Sequence, residues 1–252
     1  MAKRGLNVML ISRTEANLAR AAKEINSKYP NVEIRWIVAN FSSVDIYEDI
    51  EKKLKNLDIG VLVNNVGRGC EGIEYFSHTN REFVKDILNV NLISVTVMTH
   101  IVLPQMATKN RGLIINNASI AGSVHPFCFV MYGSTKRYMK HFTYGLQLEC
   151  QRNCPGVIVQ DLSPWFVATK MVERKGGRDL FLPTPSEFVA HAIKTIGLPS
   201  THGHIEHEFQ AFILRCLPER FAKYLTARFV TKTIHLSWKK SLDKEAERKK
   251  TN

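Results

Sequence analysis

The sequence predicts an α/β fold built on a doubly wound parallel sheet, Rossmann-like in plan. Three observations carry this. The first 160 residues alternate short apolar runs with amphipathic stretches. The runs are near-continuous rather than alternating, as in strands buried on both faces. The composition, 44% hydrophobic and 23% charged over 252 residues, is that of a folded domain with a sizeable core. Right-handed crossovers then place helices on both sides of the sheet.

The elements follow in order. Residues 6–11 read as a strand around Val-Met-Leu-Ile, and 14–28 as a helix with Leu18, Ala21, Ala22 and Ile25 on one face. Strand 33–39 and helix 44–54 come next, then strand 60–64. A long helix is predicted over 80–106, with Ile87, Val90, Asn91 and Ser94 at helical spacing. Strand 113–117, helix 130–152 and strand 157–162 complete the alternation, and a helix over 186–197 follows Thr184-Pro185.

The C-terminal end differs. Residues 209–238 mix Phe212, Ile213, Leu214, Leu217, Phe221, Tyr224, Leu225 and Phe229 with Arg and Lys. Residues 209–252 hold eleven Lys/Arg against four Asp/Glu, a local +7 within a chain of net +12. Such an amphipathic basic extension either lies on a membrane surface or packs on the core and snorkels its cations. It is read as part of one domain: 1–200 the nucleotide-binding and catalytic body, 201–252 the extension. No unbroken apolar run of 18 residues occurs, so no transmembrane helix is expected. The five cysteines, an odd number with no Cys-x-x-Cys pair, point to a reducing compartment and not to zinc. His202, His204 and His207, without a matching carboxylate or cysteine pattern, read as a polar loop, and no metal is expected. No nucleic-acid motif accompanies the basic end.

Chemistry concentrates in Tyr132-Gly133-Ser134-Thr135-Lys136. Tyr and Lys four apart share a helix face, and an ammonium beside a phenol favours the phenolate. Ser119 closes a predicted strand thirteen residues earlier, where doubly wound folds place ligands. Asn91 sits on the long helix, and Asn64-Asn65-Val66-Gly67 ends the strand before it.

This set resembles the short-chain dehydrogenase/reductases, as does Leu162-Ser163-Pro164-Trp165-Phe166-Val167-Ala168-Thr169. Within that family it looks most like the microsomal 3-ketoacyl-CoA reductases and 17β-hydroxysteroid dehydrogenases. The resemblance implies Tyr132 as proton donor, Lys136 lowering its pKa and holding the nicotinamide ribose, Ser119 on the carbonyl oxygen, and Asn91 keeping a proton relay. It implies cofactor contacts from Ser12, Arg13, Asn40, Asn64, Tyr132, Lys136, Pro164 and Thr169. Ser12-Arg13 stands where an acidic residue would select NAD, so NADPH is expected. Trp165 reads as core or as substrate wall. The implied activity is reduction of a lipid carbonyl, either a 3-ketoacyl-CoA in fatty-acid elongation or a 17-ketosteroid in steroid biosynthesis. Lys249-Lys250-Thr251-Asn252 resembles a retrieval signal of endoplasmic reticulum membrane proteins, which implies the cytosolic face. Homodimers through helices 80–106 and 130–152 are expected by analogy.

One departure from the family stands out. The Gly-rich turn that receives the pyrophosphate is absent, and Ala2-Lys3-Arg4-Gly5 reads as the end of the helix that should follow it. The expectation is an N-terminally truncated Rossmann fold, in which strands 2 and 3 lose their neighbour in the order 3-2-1-4-5-6-7. The alternative function is a shortened, non-catalytic form unable to bind cofactor.

Overall fold

The computed structural model describes residues 1–69, 75–124, 129–169 and 182–218, with residues 220–222, 224, 225, 227 and 228 beyond them. It divides into two compact units, 1–58 and 59–252.

The first unit begins with a 3-10 turn, Ala2–Arg4, closed by Gly5 in the left-handed region (φ 78°). That is the helix end expected there, and only glycine adopts it without strain. Strand β1 (Val8–Ser12) pairs in parallel with β2 (Ile34–Val38), Val8 opposite Ile34 and Ser12 opposite Val38. Helix α1 (Glu15–Lys28) joins them and buries Leu18 and Ala22, one turn apart. Helix α2 (Tyr47–Leu54) follows and buries Tyr47, Ile50 and Leu54. The sheet has only these two strands, and Trp36 and Val38 remain exposed.

The second unit holds a four-stranded parallel sheet in the order β3 (Val61–Asn64), β4 (Gly112–Asn117), β5 (Val157–Leu162), β6 (Ser200–Thr201). Its core includes Ile87, Val95, Met98, Val102, Met106, Ile114 and Met139. The two sheets carry the expected order 3-2 and 4-5-6-7, with no described strand joining them.

The long helix of the sequence is in fact three pieces. Helix α3 (Arg81–Leu88), capped by Asn80 accepting from the Glu82 N–H, runs into a π turn (Asn89–Ile93) and then α4 (Ser94–Thr108). Arg81–Thr108 spans 28 residues with mean hydropathy 1.6 in its most apolar stretch. By length and composition it could cross a membrane, contrary to the sequence expectation, which counted only unbroken apolar runs. It is instead a core helix, burying Ile87, Asn91, Val95 and Met98.

Helix α5 (Val130–Asn153) packs on β5. Helix α6 (Pro185–Ala192) starts at a capping box between Thr184 and Glu187 and ends five residues before the predicted limit, in a 3-10 turn. Helix α7 (Ile205–Cys216) begins before the amphipathic stretch read from the sequence and stops at Leu217-Pro218. Pro218 disfavours helix at the residue before it. The Lys-Lys-Thr-Asn end, Cys70, Cys128 and residues 170–181 lie outside the described residues.

Candidate active site

The site lies at the carboxyl ends of β3, β4 and β5, where open parallel sheets present ligand-binding loops. Lys136 is its centre. Its side chain is buried (5% exposed), and Nζ donates to the Asn117 carbonyl at 2.8 Å. Nζ also stands 5.8 Å from the centre of the Tyr132 ring. Burial pushes the Lys136 pKa down to about 8, against the upward pull of the Asp161 carboxylate. The ammonium therefore predominates at neutral pH, one helical turn from the phenol.

Ser119 follows β4 in extended backbone and caps a 3-10 turn, Ile120–Gly122, accepting from the Ala121 N–H at 3.2 Å. Two contacts fix this turn. The Ile120 N–H donates to the Pro164 carbonyl at 3.0 Å. Gly122 lies against the backbone of α5 so closely that a Cβ would stand 2.7 Å from the Lys136 carbonyl carbon. A side chain there would drive the Ser119 turn off the helix that carries Tyr132.

Asn91 is fully buried inside the π turn. Its Nδ2 donates to the Arg68 carbonyl (2.9 Å) and to Thr135 Oγ1 (3.0 Å), while its Oδ1 accepts the Arg68 N–H (2.7 Å). Thr135 Oγ1 in turn donates to the Tyr132 carbonyl at 2.8 Å. The Asn91 side chain thus ties the loop after β3 to α5. Arg68 itself is paired with Asp86 and stacked over Phe83. Gly67 lies beside both Lys136 and Asn91, since a Cβ on it would fall 3.6 Å from Nζ and 3.7 Å from Oδ1.

A buried amide lattice supports these residues. Asn64 Nδ2 donates to Thr99 Oγ1 (3.0 Å) and Asn116 Oδ1 (2.8 Å), and Asn116 Nδ2 donates to Thr143 Oγ1 (2.9 Å). Asn64, expected as a cofactor residue, thus has its amide nitrogen bound within the fold. Pro164, expected as a cofactor contact, accepts the Ile120 N–H of the Ser119 turn, while Thr169 is exposed, its N–H on the Val167 carbonyl. Ser12, Arg13 and Asn40 sit exposed where β1 and β2 end, joined by the Ala39 N–H on the Ser12 carbonyl (3.0 Å).

The structure adds residues that sequence reasoning missed. Asp161 on β5 is buried. It pairs with Lys140 at 3.3 Å and accepts from Ser163 (2.8 Å) and Ser200 (2.9 Å). Lys140 is one turn beyond Lys136 on α5, so the helical spacing that revealed Tyr132 could have revealed it too. The histidines do not form the polar loop expected. His202, His204 and His207 are buried, and His204 is stacked on His191 with ring centres 4.3 Å apart. Among the described residues no group of three or more His, Cys, Asp or Glu could hold a metal.

Residues 1–179 match the short chain dehydrogenase family. The chain is 40% identical over 222 residues to the human very-long-chain 3-oxoacyl-CoA reductase, covering 86% of this chain and 70% of that one. The chain belongs to the short-chain dehydrogenase family. Within that family it falls in the very-long-chain 3-oxoacyl-CoA reductase branch. A zebrafish (Danio rerio) reductase of that name is also 40% identical, over 221 residues, covering 86% of this chain and 68% of that one. Caenorhabditis elegans putative steroid dehydrogenase 4 is 36% identical over 225 residues, with 87% and 84% covered. Among solved structures, a 7β-hydroxysteroid dehydrogenase superposes with TM-score 0.79 at 24% identity, over 89% of this chain and 88% of the other. A Sphingobium yanoikuyae short-chain dehydrogenase solved with NADPH gives 0.71 at 21%, over 86% and 89%.

As a short-chain dehydrogenase the chain is an oxidoreductase acting on carbonyl or hydroxyl groups, with a nicotinamide cofactor. The nicotinamide–ribose end of such a cofactor fits the residues present. Asn117 Oδ1 and Trp165 Nε1 are buried with no hydrogen-bond partner among the described residues, beside the Lys136 anchor and the Pro164 contact. For the pyrophosphate, the chain carries no Gly-rich turn.

Proposed function

We propose that this short-chain dehydrogenase is an NADPH-dependent reductase of a lipid carbonyl, a 3-ketoacyl-CoA or a 17-ketosteroid, at the cytosolic face of the endoplasmic reticulum. The observation that carries the reading is the buried Lys136 ammonium, held on the Asn117 carbonyl beside the Tyr132 ring. The names of the reductase relatives favour the acyl-CoA substrate. Ser12-Arg13 at the end of β1, with no carboxylate, favours the 2′-phosphate of NADPH.

NADPH, when bound, supplies hydride to the carbonyl carbon. Tyr132 Oη gives its proton to the carbonyl oxygen, and Lys136 lowers the cost of leaving the phenolate behind. Ser119 Oγ, already accepting from the Ala121 N–H, has its own proton for the same oxygen. Asn91 holds the Arg68 backbone and Thr135, so that α5 and the loop after β3 keep their spacing. Lys136 and Tyr132 would hold the ribose and Pro164 and Thr169 the carboxamide; in the first unit, Arg13 and Asn40 are the residues that would take the adenosine end. A homodimer through the outer faces of α4 and α5 accords with the exposed Tyr138, Tyr144 and Leu148.

The test is NADPH oxidation by the purified chain with a long 3-ketoacyl-CoA and with a 17-ketosteroid. Tyr132→Phe is expected to lower kcat by about 10²–10⁴ with an unchanged melting temperature. Equal rates in the two proteins would discard the catalytic assignment. They would leave the non-catalytic alternative.

A further inference from the structure

Helix α7 is amphipathic in the wrong sense for a surface helix. Such a helix turns its apolar stripe to the core and its polar side to water. Here the inward side carries His207, fully buried, with Ala211 and Gln210. The outward side carries Ile205, Phe209, Phe212 and Ile213, which are 69%, 56%, 61% and 44% exposed. At one residue per 100° these four, with exposed Cys216, fall within about 100° of arc. A contiguous apolar face of this kind marks a surface with a partner.

The neighbouring charges say which partner. The helix carries two acids, Glu206 and Glu208. Glu208 accepts from the His202 N–H (2.6 Å) and Thr201 Oγ1 (2.9 Å), and Glu206 lies 3.5 Å from His204. Both carboxylates border the stripe and are engaged with the fold. Past Pro218 the pattern continues with exposed Phe221, Tyr224 and Leu225, among Arg220 and Arg228. The sequence from 209 onward carries a net +7. An apolar stripe followed in sequence by a segment of net positive charge is complementary to a bilayer with anionic headgroups. A second copy of this chain would bring like charge against like charge.

We propose that the outer face of α7, centred on Phe209 and Phe212, docks onto an anionic lipid bilayer. The proposal goes beyond the catalytic reading and does not depend on it, because vesicle binding requires no turnover.

The experiment is flotation of the purified 252-residue chain with phosphatidylcholine vesicles, with and without phosphatidylserine. The wild type is expected to float with the anionic vesicles and much less with the neutral ones. Phe209→Ser with Phe212→Ser is expected to weaken partitioning by about tenfold or more, since two apolar side chains no longer enter the interface. Leu6→Ser with Val44→Ser, both exposed and away from α7 in sequence, is expected to leave it unchanged. A second readout does not depend on the stability of the serine variants. An environment-sensitive fluorophore on Cys216, with Cys70 and Cys128 replaced by Ser, should shift to the blue on anionic vesicles. The proposal is overturned by a wild type that does not float, by a Cys216 probe that does not shift, or by α7 variants that float as the wild type does. It is also overturned if the α7 variants dissolve a dimer in sedimentation while vesicle binding persists, because the face would then belong to a second copy.

Discussion

In the lattice that joins β3, β4, α4 and α5, the amide nitrogens of Asn64, Asn91 and Asn116 all reach acceptors within 3.0 Å. Under α7, His207 is as deeply buried, yet its Nδ1 stands a long 3.4 Å from the His202 carbonyl, and Gln210 Oε1 has no hydrogen-bond partner among the described residues. Both regions place polar groups out of water, and only one satisfies them. Each buried group left without a partner costs about 1–3 kcal/mol. The satisfied lattice can hold Tyr132, Lys136 and Ser119 to a fixed geometry, as proton transfer requires. The unsatisfied one marks a part of the fold whose stability depends on conditions.

Breaking the lattice should cost most. Asn91→Leu removes the partner of both the Arg68 N–H and the Arg68 carbonyl, inside the fold. Urea denaturation should show a loss of about 4 kcal/mol, together with a fall in kcat. A loss under about 1 kcal/mol would mean that water replaces the amide and that the lattice is not what fixes the site.

The histidine side sharpens the contrast through pH. Burial pushes His207 from its ordinary 6.5 down to about 4, and His204 is also lowered by burial and by His191. A folded-state pKa below the unfolded one means that the contribution is complete above about 6.5 and is lost as pH falls through about 4. The wild type should lose stability on the order of 3 kcal/mol across that interval from His207 alone. His207→Leu should flatten this acid limb when melting temperature is followed against pH. An unchanged limb would assign it to other groups.

The smallest expected effect links the lattice to catalysis. The groups around Lys136 are Tyr132 and Lys140 on its own helix, Asp161 from β5, and the Arg68–Asp86 pair beyond Gly67. β4 presents the Asn117 carbonyl. Burial lowers the Lys136 pKa and Asp161 raises it, so Asp161→Asn should lower it further. The alkaline limb of the pH–kcat/KM profile should then move to lower pH, with kcat at neutral pH little changed. A limb that stays in place would show that Lys136 does not sense Asp161.

Much of the site is legible in the sequence, because Tyr132, Lys136 and Lys140 share a helix face by spacing alone, and Ser119 ends a strand of clear pattern. Other parts are not. No residue type announces a π turn, and the apolar spacing around Asn91 reads as uninterrupted helix. Asp161 sits near the end of the strand predicted over 157–162, and its place there does not mark it as part of the site. Its pairing with Lys140 appears only once β5 lies against α5. Strand β6 has two residues, too few to show a period. The histidines read as polar because composition cannot say which way a loop is folded. The start of α7 was missed for a related reason: its apolar residues face outward, so they could not be told from core positions until the inner side was seen.

The π turn at Asn89–Ile93 has one more consequence. A π turn holds an extra residue in its hydrogen-bonded loop, so everything after it is rotated by about 100° relative to a uniformly wound helix. The span Arg81–Thr108 therefore carries a phase shift as well as a length. Deleting one residue there would restore regular winding and leave Val95, Met98 and Val102 facing the core, but it would close the wide turn that carries Asn91 to Thr135. A single-residue deletion in these five positions should therefore spare the fold and lower kcat, whereas one in the middle of α4 should rotate the residues on one side of it by about 100° and unfold the core; the extra residue is what lets one helix serve both the core and the site.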